Sequence, residues 1–381
     1  MRKKIAYFVS HPIQYQAPLL RKISEECGFD LHVFFLSDLS TGSYLDTGFG
    51  QSIEWDIPLT SGYSHEFLES TFLNGDFSLK NPKVKLRSVF KAIRKESWDA
   101  VWIHGYGNMA LLAVLVLARL KGLPYFYRAD STLLCSSPST AKDLFLSSLV
   151  KNAQALLWSS TDNLEYYKHY GAKESQLFFM PLAVDNEAFQ KQLKPKKSVT
   201  NAPVKFLFAS KFVSRKKADL LLHAFANLPD EFRSRATLTL AGSGPLQHQL
   251  EEQTVNLQLE NNISFVGFVN QQQMPTLLCE HDVFVLPSVM EPFGLIVNEA
   301  MNLSKPVIVT DQVGCARDLV EHGLNGWVAK ADDVASMTSV LLSALESSAN
   351  LEDMGKQSLK RINQWGFNQN IEGLSRAVDA L

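Results

Sequence analysis

The chain has 381 residues, 46% of them hydrophobic and 20% charged, with a formal net charge of −2. That length exceeds one ordinary core, so two domains are expected, and the composition excludes a disordered, collagenous or coiled-coil chain. Thirty-seven basic residues against 39 acidic ones leave no overall field to draw in nucleic acid, which is not an expected partner.

Cys27, Cys135, Cys279 and Cys315 lie far apart with no Cys-x-x-Cys pair, so neither a disulfide framework nor a structural metal is indicated and a reducing, cytoplasmic setting is expected. The basic N-terminus carries an apolar stretch only from Ile5 to Val9, too short for a signal-peptide core, and reads as a first strand. The longest uncharged apolar run, Met109 to Ala118, has 10 residues, about half of the ~20 that cross a bilayer.

Strand-like runs then alternate with helical periods, the pattern of parallel βαβ units. Strands are expected at 5–10, 31–36, 100–104, 124–129 and 155–159, with helices at 17–26, 81–96, 107–122 and 141–152 between them. Residues 41–74 break the rhythm with Gly, Ser and aromatic residues, as an insertion or long loop would. The basic, polar run 191–203 has no apolar period and ends in proline, which marks a linker. After it the alternation restarts with strands at 204–210, 236–242, 263–269, 282–288 and 306–311. Two doubly wound domains bring strand ends, where ligands bind, to face a cleft.

The densest chemical signal is PSVMEPFGLIVNEAMN, in which Glu291 and Glu299 flank a strand-to-helix junction. Pro292 suits a first helical turn and Gly294 allows close backbone approach, so the amides near Phe293, Gly294 and Leu295 form a phosphate site at a helix N-terminus.

From Lys205 to Val328 the sequence resembles the C-terminal domain of family 4 glycosyltransferases. The resemblance is carried by ASKFVSRKKADLLLHAF, LTLAGSGPL, ISFVGFV, EPFGLIVNEAM and VGCARDLVEHGLNGWV in that order, with Cys315 and Asp318 departing from a common glycine and glutamate. It implies an α/β chain of GT-B architecture, two Rossmann-like doubly wound domains facing a central cleft. Residues 1–185 would be the acceptor side, 186–203 a linker region, 204–364 the nucleotide-sugar domain, and 365–381 a helix packing back on the first domain.

The resemblance further implies a retaining transfer from a nucleotide-sugar, a UDP-sugar being the commonest donor class, to a glycan, lipid-linked or small-molecule acceptor in polysaccharide, glycan or glycolipid synthesis. Glu299 would bind ribose hydroxyls, Glu291 the donor sugar, and Lys211 with Lys216 the diphosphate; Lys216 is otherwise part of a solvated turn, Arg215–Lys217. Gly242 begins the Gly-x-Gly turn, and Phe268 either flanks the base or packs in the core. His104, closing the strand AVWIH, matches a histidine that faces the donor sugar.

At the first strand end the common paired glycines are missing, and His11, Gln14 and Tyr15 stand there instead. Arg128 and Asp130 either bind acceptor hydroxyls or pair with each other. No Asp-x-Asp pair occurs, so neither a metal nor another cofactor is expected. Residues 80–95 carry seven basic side chains, with a single acid, Glu96, just after them, and are either a solvated helix or a peripheral contact with anionic membrane. Other activities of such a donor site are an epimerase, a hydrolase or a non-catalytic binding subunit.

Overall fold

The computed structural model describes residues 2–72, 77–133, 139–193 and 202–381. The chain forms two compact units, one of Met1–Tyr44, Ile57–Leu182 and Gly366–Leu381, the other of Leu45–Asp56 and Ala183–Trp365.

In the first unit seven strands lie in the order Leu177–Phe179, Ala155–Trp158, Tyr125–Arg128, Ala100–His104, Lys4–Val9, Asp30–Phe35, Ser64–Phe67. Every neighbouring pair is parallel. Helices on the faces bury both sides, which is why the strands read as continuous apolar runs rather than alternating ones. Phe8 and Phe34 stack at 4.9 Å in the layer that Val89, Ile93, Val114 and Leu146 complete. Each such buried side chain is worth about 1.5–3 kcal/mol over an exposed one, enough to override local propensity. Strand order reverses between Lys4–Val9 and Ala100–His104, so their carboxyl ends form the switch-point crevice.

The second unit orders Ile263–Gly267, Ala236–Ala241, Val204–Ala209, Val283–Leu286, Val307–Thr310 and Gly326–Ala329, again all parallel. Its core joins Phe206, Phe208, Leu221, Phe225, Leu238 and Val285 to Met337 and Leu341 of the helix Val334–Glu346. In chain order the strands run 3-2-1-4-5-6, and the switch falls between Val204–Ala209 and Val283–Leu286. Both units are thus Rossmann-like, as expected, and together they are the α/β pair of the GT-B fold class.

Several elements differ from expectation. Ser64–Phe67, inside the stretch read as a loop, is the edge strand of the first sheet. The helix expected at 81–96 is confined to Leu86–Arg94, because Lys83–Val84 is spent in antiparallel pairing with Ser70–Thr71. Residues 45–56, assigned with the first domain, belong to the second unit. Within the expected linker 186–203, Asn186–Gln190 is helical and tied to the second unit by Asn186 Nδ2 to Ile362 O at 3.0 Å and Gln190 Nε2 to Asn302 Oδ1 at 2.8 Å; residues 194–201 lie outside the described residues, as does Cys135.

The terminal helix Phe367–Asp379 packs on the first unit, where a Cβ on Gly373 would sit 1.8 Å from Phe179 O. Trp365, grouped with that helix by sequence, stays in the second unit and stacks on Phe293 at 6.4 Å.

Candidate functional site

In the second unit the strand Val204–Ala209 ends at Ser210 and Lys211, and a turn Ser214–Lys216 follows. Lys217 leaves that turn in the left-handed region at φ 52°, an uncommon conformation for a residue with a side chain, and begins the helix Ala218–Ala226. The turn aims Lys216 back at the end of the strand Val283–Leu286, where its Nζ donates to Glu291 Oε2. Only 10% of the lysine and 13% of the glutamate side chain is exposed, so each would be a buried charge without the other. Burial holds the Lys216 pKa below its ordinary value, against an opposing pull from Glu291. Arg215 Nη1 lies 3.8 Å from the same carboxylate. The Glu291 backbone is fixed on both sides, its N–H donating to Gln312 O at 3.2 Å and its carbonyl accepting from Gly314 at 2.9 Å.

Lys211 does not stand free. Its Nζ donates to both Asp46 oxygens at 2.8 Å and lies 4.8 Å from the Phe49 ring centroid. Phe49 in turn meets Phe268 edge to face at 4.8 Å, and its carbonyl accepts from Ser243 Oγ at 2.9 Å. Of the two readings of Phe268, the contact the structure gives it is thus with an aromatic side chain of the 45–56 segment. Gly242, at φ 142°, passes so close to the first strand end that a Cβ would lie 1.9 Å from Ser210 O. Only glycine allows that approach.

The helix carrying Glu299 is Leu295–Asn302, capped by Gly294 at φ 97°. Pro292 therefore precedes the helix instead of opening it, and Glu299 sits little more than one turn inside it. The Phe293 side chain is core, 3% exposed against Trp365, which leaves its backbone as the part available to a ligand. Amides in the first turn of a helix have no partner within it. Glu299 is buried, accepts from Gln271 Nε2 at 3.0 Å, and is pushed up to about 7 by burial, with Gln271 pulling the other way. Cys315 and Asp318, the two departures from the family pattern, are both buried.

The first unit gathers a different set. His104 Nδ1 is 2.7 Å from Tyr7 Oη, and its Nε2 is 3.8 Å from Asp130 Oδ2. Burial alone would raise the Asp130 pKa, but the nearby His104 and the charge of Arg128 outweigh it and hold the carboxyl below its ordinary value. Arg128 is buried and donates from Nη2 to Pro181 O at 3.3 Å. Among the described residues, the buried Arg128 Nη1 and Asp130 Oδ1 have no hydrogen-bond partner, polar capacity that a hydroxylated ligand could use.

His11 stacks on Phe77 at 4.5 Å, with Ser10 Oγ 3.0 Å from its Nδ1, and burial lowers its pKa to about 4. Tyr15 caps the helix Gln16–Glu26 and burial raises its pKa; Gln14 precedes it in the same turn, partly buried.

The basic run 80–95 is less one-sided in space than in sequence. Glu69 takes Lys85 and Arg87 at the helix start, and Glu66 takes Lys95 at 2.6 Å. Leu86 and Phe90 remain 55% and 45% exposed on the helix itself. Among the described residues no helix is long and apolar enough to cross a membrane, and no group of three or more His, Cys, Asp or Glu side chains is placed to hold a metal ion.

Sequence reasoning missed Asp46, Phe49, Gln271 and Tyr7. The run Asp46-Thr-Gly-Phe-Gly50 does carry a turn signature, but nothing in it points to a lysine 165 positions away.

Residues 189–361 match the family model described as "Glycosyl transferases group 1". An uncharacterized glycosyltransferase of Methanocaldococcus jannaschii is 36% identical over 32% of this chain and 31% of its own length. An amylovoran biosynthesis glycosyltransferase of Erwinia amylovora is 25% identical over 50% of this chain and 47% of its own length. The chain thus spans about a third to a half of these relatives. Among solved structures, that of the Anabaena protein HepE in complex with UDP covers all of both chains with a TM-score of 0.73 at 17% identity, a likeness of fold. HepE has also been solved with UDP-glucose.

Proposed function

We propose that this protein is a glycosyltransferase that moves a sugar from a nucleoside diphosphate sugar, in the first instance a UDP-sugar, to an acceptor hydroxyl. The observation that carries the reading is the buried Lys216–Glu291 pair, beyond the ends of the neighbouring strands Val204–Ala209 and Val283–Leu286, in the domain that matches the glycosyl transferases group 1 model. The UDP and UDP-glucose complexes of HepE support the donor class.

The chemistry fits those residues. As the bond from the anomeric carbon to the diphosphate breaks, negative charge grows on the departing oxygen. Two lysines and the amides at Gly294 and Leu295 meet that charge where it develops, an arrangement worth about 3–4 kcal/mol for each good donor. Those cations take the role a divalent ion would otherwise have, so turnover should persist in chelator. Glu299 accepts from the ribose hydroxyls, and the Glu291 carboxylate both holds Lys216 and contacts the sugar.

We assign retention of anomeric configuration, with the departing oxygen taking the acceptor proton. In the first unit His104, held by Tyr7 and Asp130, contacts the donor sugar, and the polar groups of His11, Gln14, Tyr15, Arg128 and Asp130 serve the acceptor. The acceptor class is a glycan, a lipid-linked sugar or a small hydroxylated molecule. Exposed Leu86 and Phe90 beside Lys91 and Arg94 are suited to an anionic membrane surface, where a lipid-linked acceptor would be found.

The deciding experiment is a thermal-shift screen with UDP, GDP, ADP and dTDP. A nucleotide present at about 100 times its Kd adds ~2.7 kcal/mol of stability, a shift readily seen, and no shift with any of the four would refute the donor class.

A further inference from the structure

The residue that holds Lys211 comes from a segment outside the glycosyl transferases group 1 match, and it is an anion. Asp46 opens a tight turn closed by Gly50 N–H to Asp46 O at 2.9 Å, and its Oδ1 also accepts from the amides of Gly48 and Phe49 at 2.9 and 3.1 Å. The carboxylate therefore meets a lysine on one side and two backbone N–H groups on the other. Only 14% of it is exposed.

The turn is seated with little slack. A Cβ on Gly48 would strike the Lys211 side chain at 2.6 Å, and one on Gly244 would lie 2.9 Å from Gly48 O. Phe49 lies against both Lys211 and Phe268, and Ser243 holds its carbonyl. Farther along, Asn270 Nδ2 donates to Glu54 O at 2.7 Å and Gln272 N–H to Asp56 Oδ2 at 3.1 Å. The segment 45–56 thus puts a carboxylate on Lys211 and an aromatic ring on Phe268.

We propose that Asp46 is an internal competitor for the donor diphosphate, a residue that sets nucleotide affinity because the nucleotide must displace it from Lys211. The inference rests on the nucleotide reading of the second unit. A diphosphate brought up to Lys211 with Asp46 in place would set anion against anion around one cation, and like charges at such distances repel strongly where water is scarce. The two anions therefore exclude each other, and the turn leaves as the nucleotide arrives. A nucleoside, which has no charge with which to replace the carboxylate, binds poorly for the same reason.

The test has two independent arms, both on the full chain. In the first, UDP binding is titrated by calorimetry for wild type and Asp46→Asn. Relieving the competition should tighten UDP about fivefold, the worth of a part-exposed ion pair of ~1 kcal/mol, and tighten uridine not at all. Unchanged or weaker UDP binding by a folded Asp46→Asn would overturn the proposal and make Asp46 a residue that positions Lys211.

The second arm uses wild type alone and so does not depend on the variant folding. Hydrogen exchange of a peptide covering 45–56 should become faster on saturation with UDP, because the displaced turn gives up its contacts with Lys211, Ser243 and Phe268. Slower exchange there overturns the proposal. Failure of wild type to bind any nucleoside diphosphate would instead overturn the nucleotide reading itself, so the two failures are told apart.

Discussion

The two units are the same scaffold put to different use. Each is a parallel sheet whose order reverses beside its first strand, and each therefore offers a crevice at the carboxyl ends of two strands. At the second unit's crevice the side chains are paired charges, Lys211 with Asp46 and Lys216 with Glu291. At the first unit's crevice a phenol and a histidine lead to one carboxylate, with a stacked His11–Phe77 pair nearby. Separated, strongly held cations suit a ligand with concentrated charge. A chain of hydroxyl, imidazole and carboxylate suits a neutral, hydroxylated one. The scaffold supplies the place, and a handful of strand-end residues choose the chemistry.

The contrast breaks most sharply at Glu291. Glu291→Ala removes the partner of a lysine that is only 10% exposed. Leaving a buried charge unpaired should cost about 3–5 kcal/mol of stability, read by chemical denaturation. Turnover should fall about 100- to 1,000-fold in an assay of sugar transfer from the donor, the loss expected for a preorganised charge at the reacting centre. Glu291→Gln, which keeps a hydrogen-bond acceptor, should recover most of the stability and little of the turnover. Equal losses in both variants, or near-normal turnover in either, would mean that the pair is structural only.

How much of this was legible in the sequence follows from how local each signal is. The strands 5–10, 100–104 and 204–210 are apolar runs bounded by polar residues, and the structure has strands at Lys4–Val9, Ala100–His104 and Val204–Ala209. Ser64–Phe67 reads Ser-His-Glu-Phe; an edge strand half covered by neighbours needs no apolar run, and it was hidden inside a loop-like stretch. Glu291, Glu299, Lys211 and Lys216 stood out because they fall in blocks of recognisable spacing. Their partners Asp46 and Gln271 did not, since an ion pair or hydrogen bond across 165 or 28 positions leaves no trace in spacing. The same holds for the basic run 80–95, whose balancing acids Glu66 and Glu69 come from outside it.

His104 sharpens the comparison from the other side. If the first crevice serves sugar hydroxyls and the second the nucleotide, His104→Ala should lower the rate of transfer about thirtyfold, equivalent to ~2 kcal/mol for a hydrogen bond supported by a charged partner. The Kd for UDP, measured by calorimetry, should stay within about twofold of wild type. Tyr7→Phe, which removes only the hydroxyl on Nδ1, should show the same pattern more weakly. A variant that loses UDP affinity and keeps its turnover would erase the division of labour between the crevices.

The smallest effect is a pH dependence that belongs to the second unit alone. Burial raises the Glu299 carboxyl from 4.5 to about 7, so the folded chain binds this proton more tightly than the unfolded chain does. The consequence has a definite sign. Below 4.5 the group is protonated in both states and makes no difference; as pH rises toward about 7 the buried carboxyl resists ionisation and stability falls, and above that the loss is complete.

Ribose hydroxyls donating to Glu299 favour its ionised form, so donor binding expels the proton and donor affinity rises with pH over the same interval. UDP-glucose is the ligand to use, because its diphosphate does not titrate there. Between pH 6 and 8 its affinity should climb by at most about tenfold, the change in the ionised fraction of a group that titrates at about 7. Glu299→Gln should flatten the profile, whereas His104→Ala, altering only the first crevice, should leave it intact. A profile that survives Glu299→Gln would assign the titration to another group and remove Glu299 from the ribose.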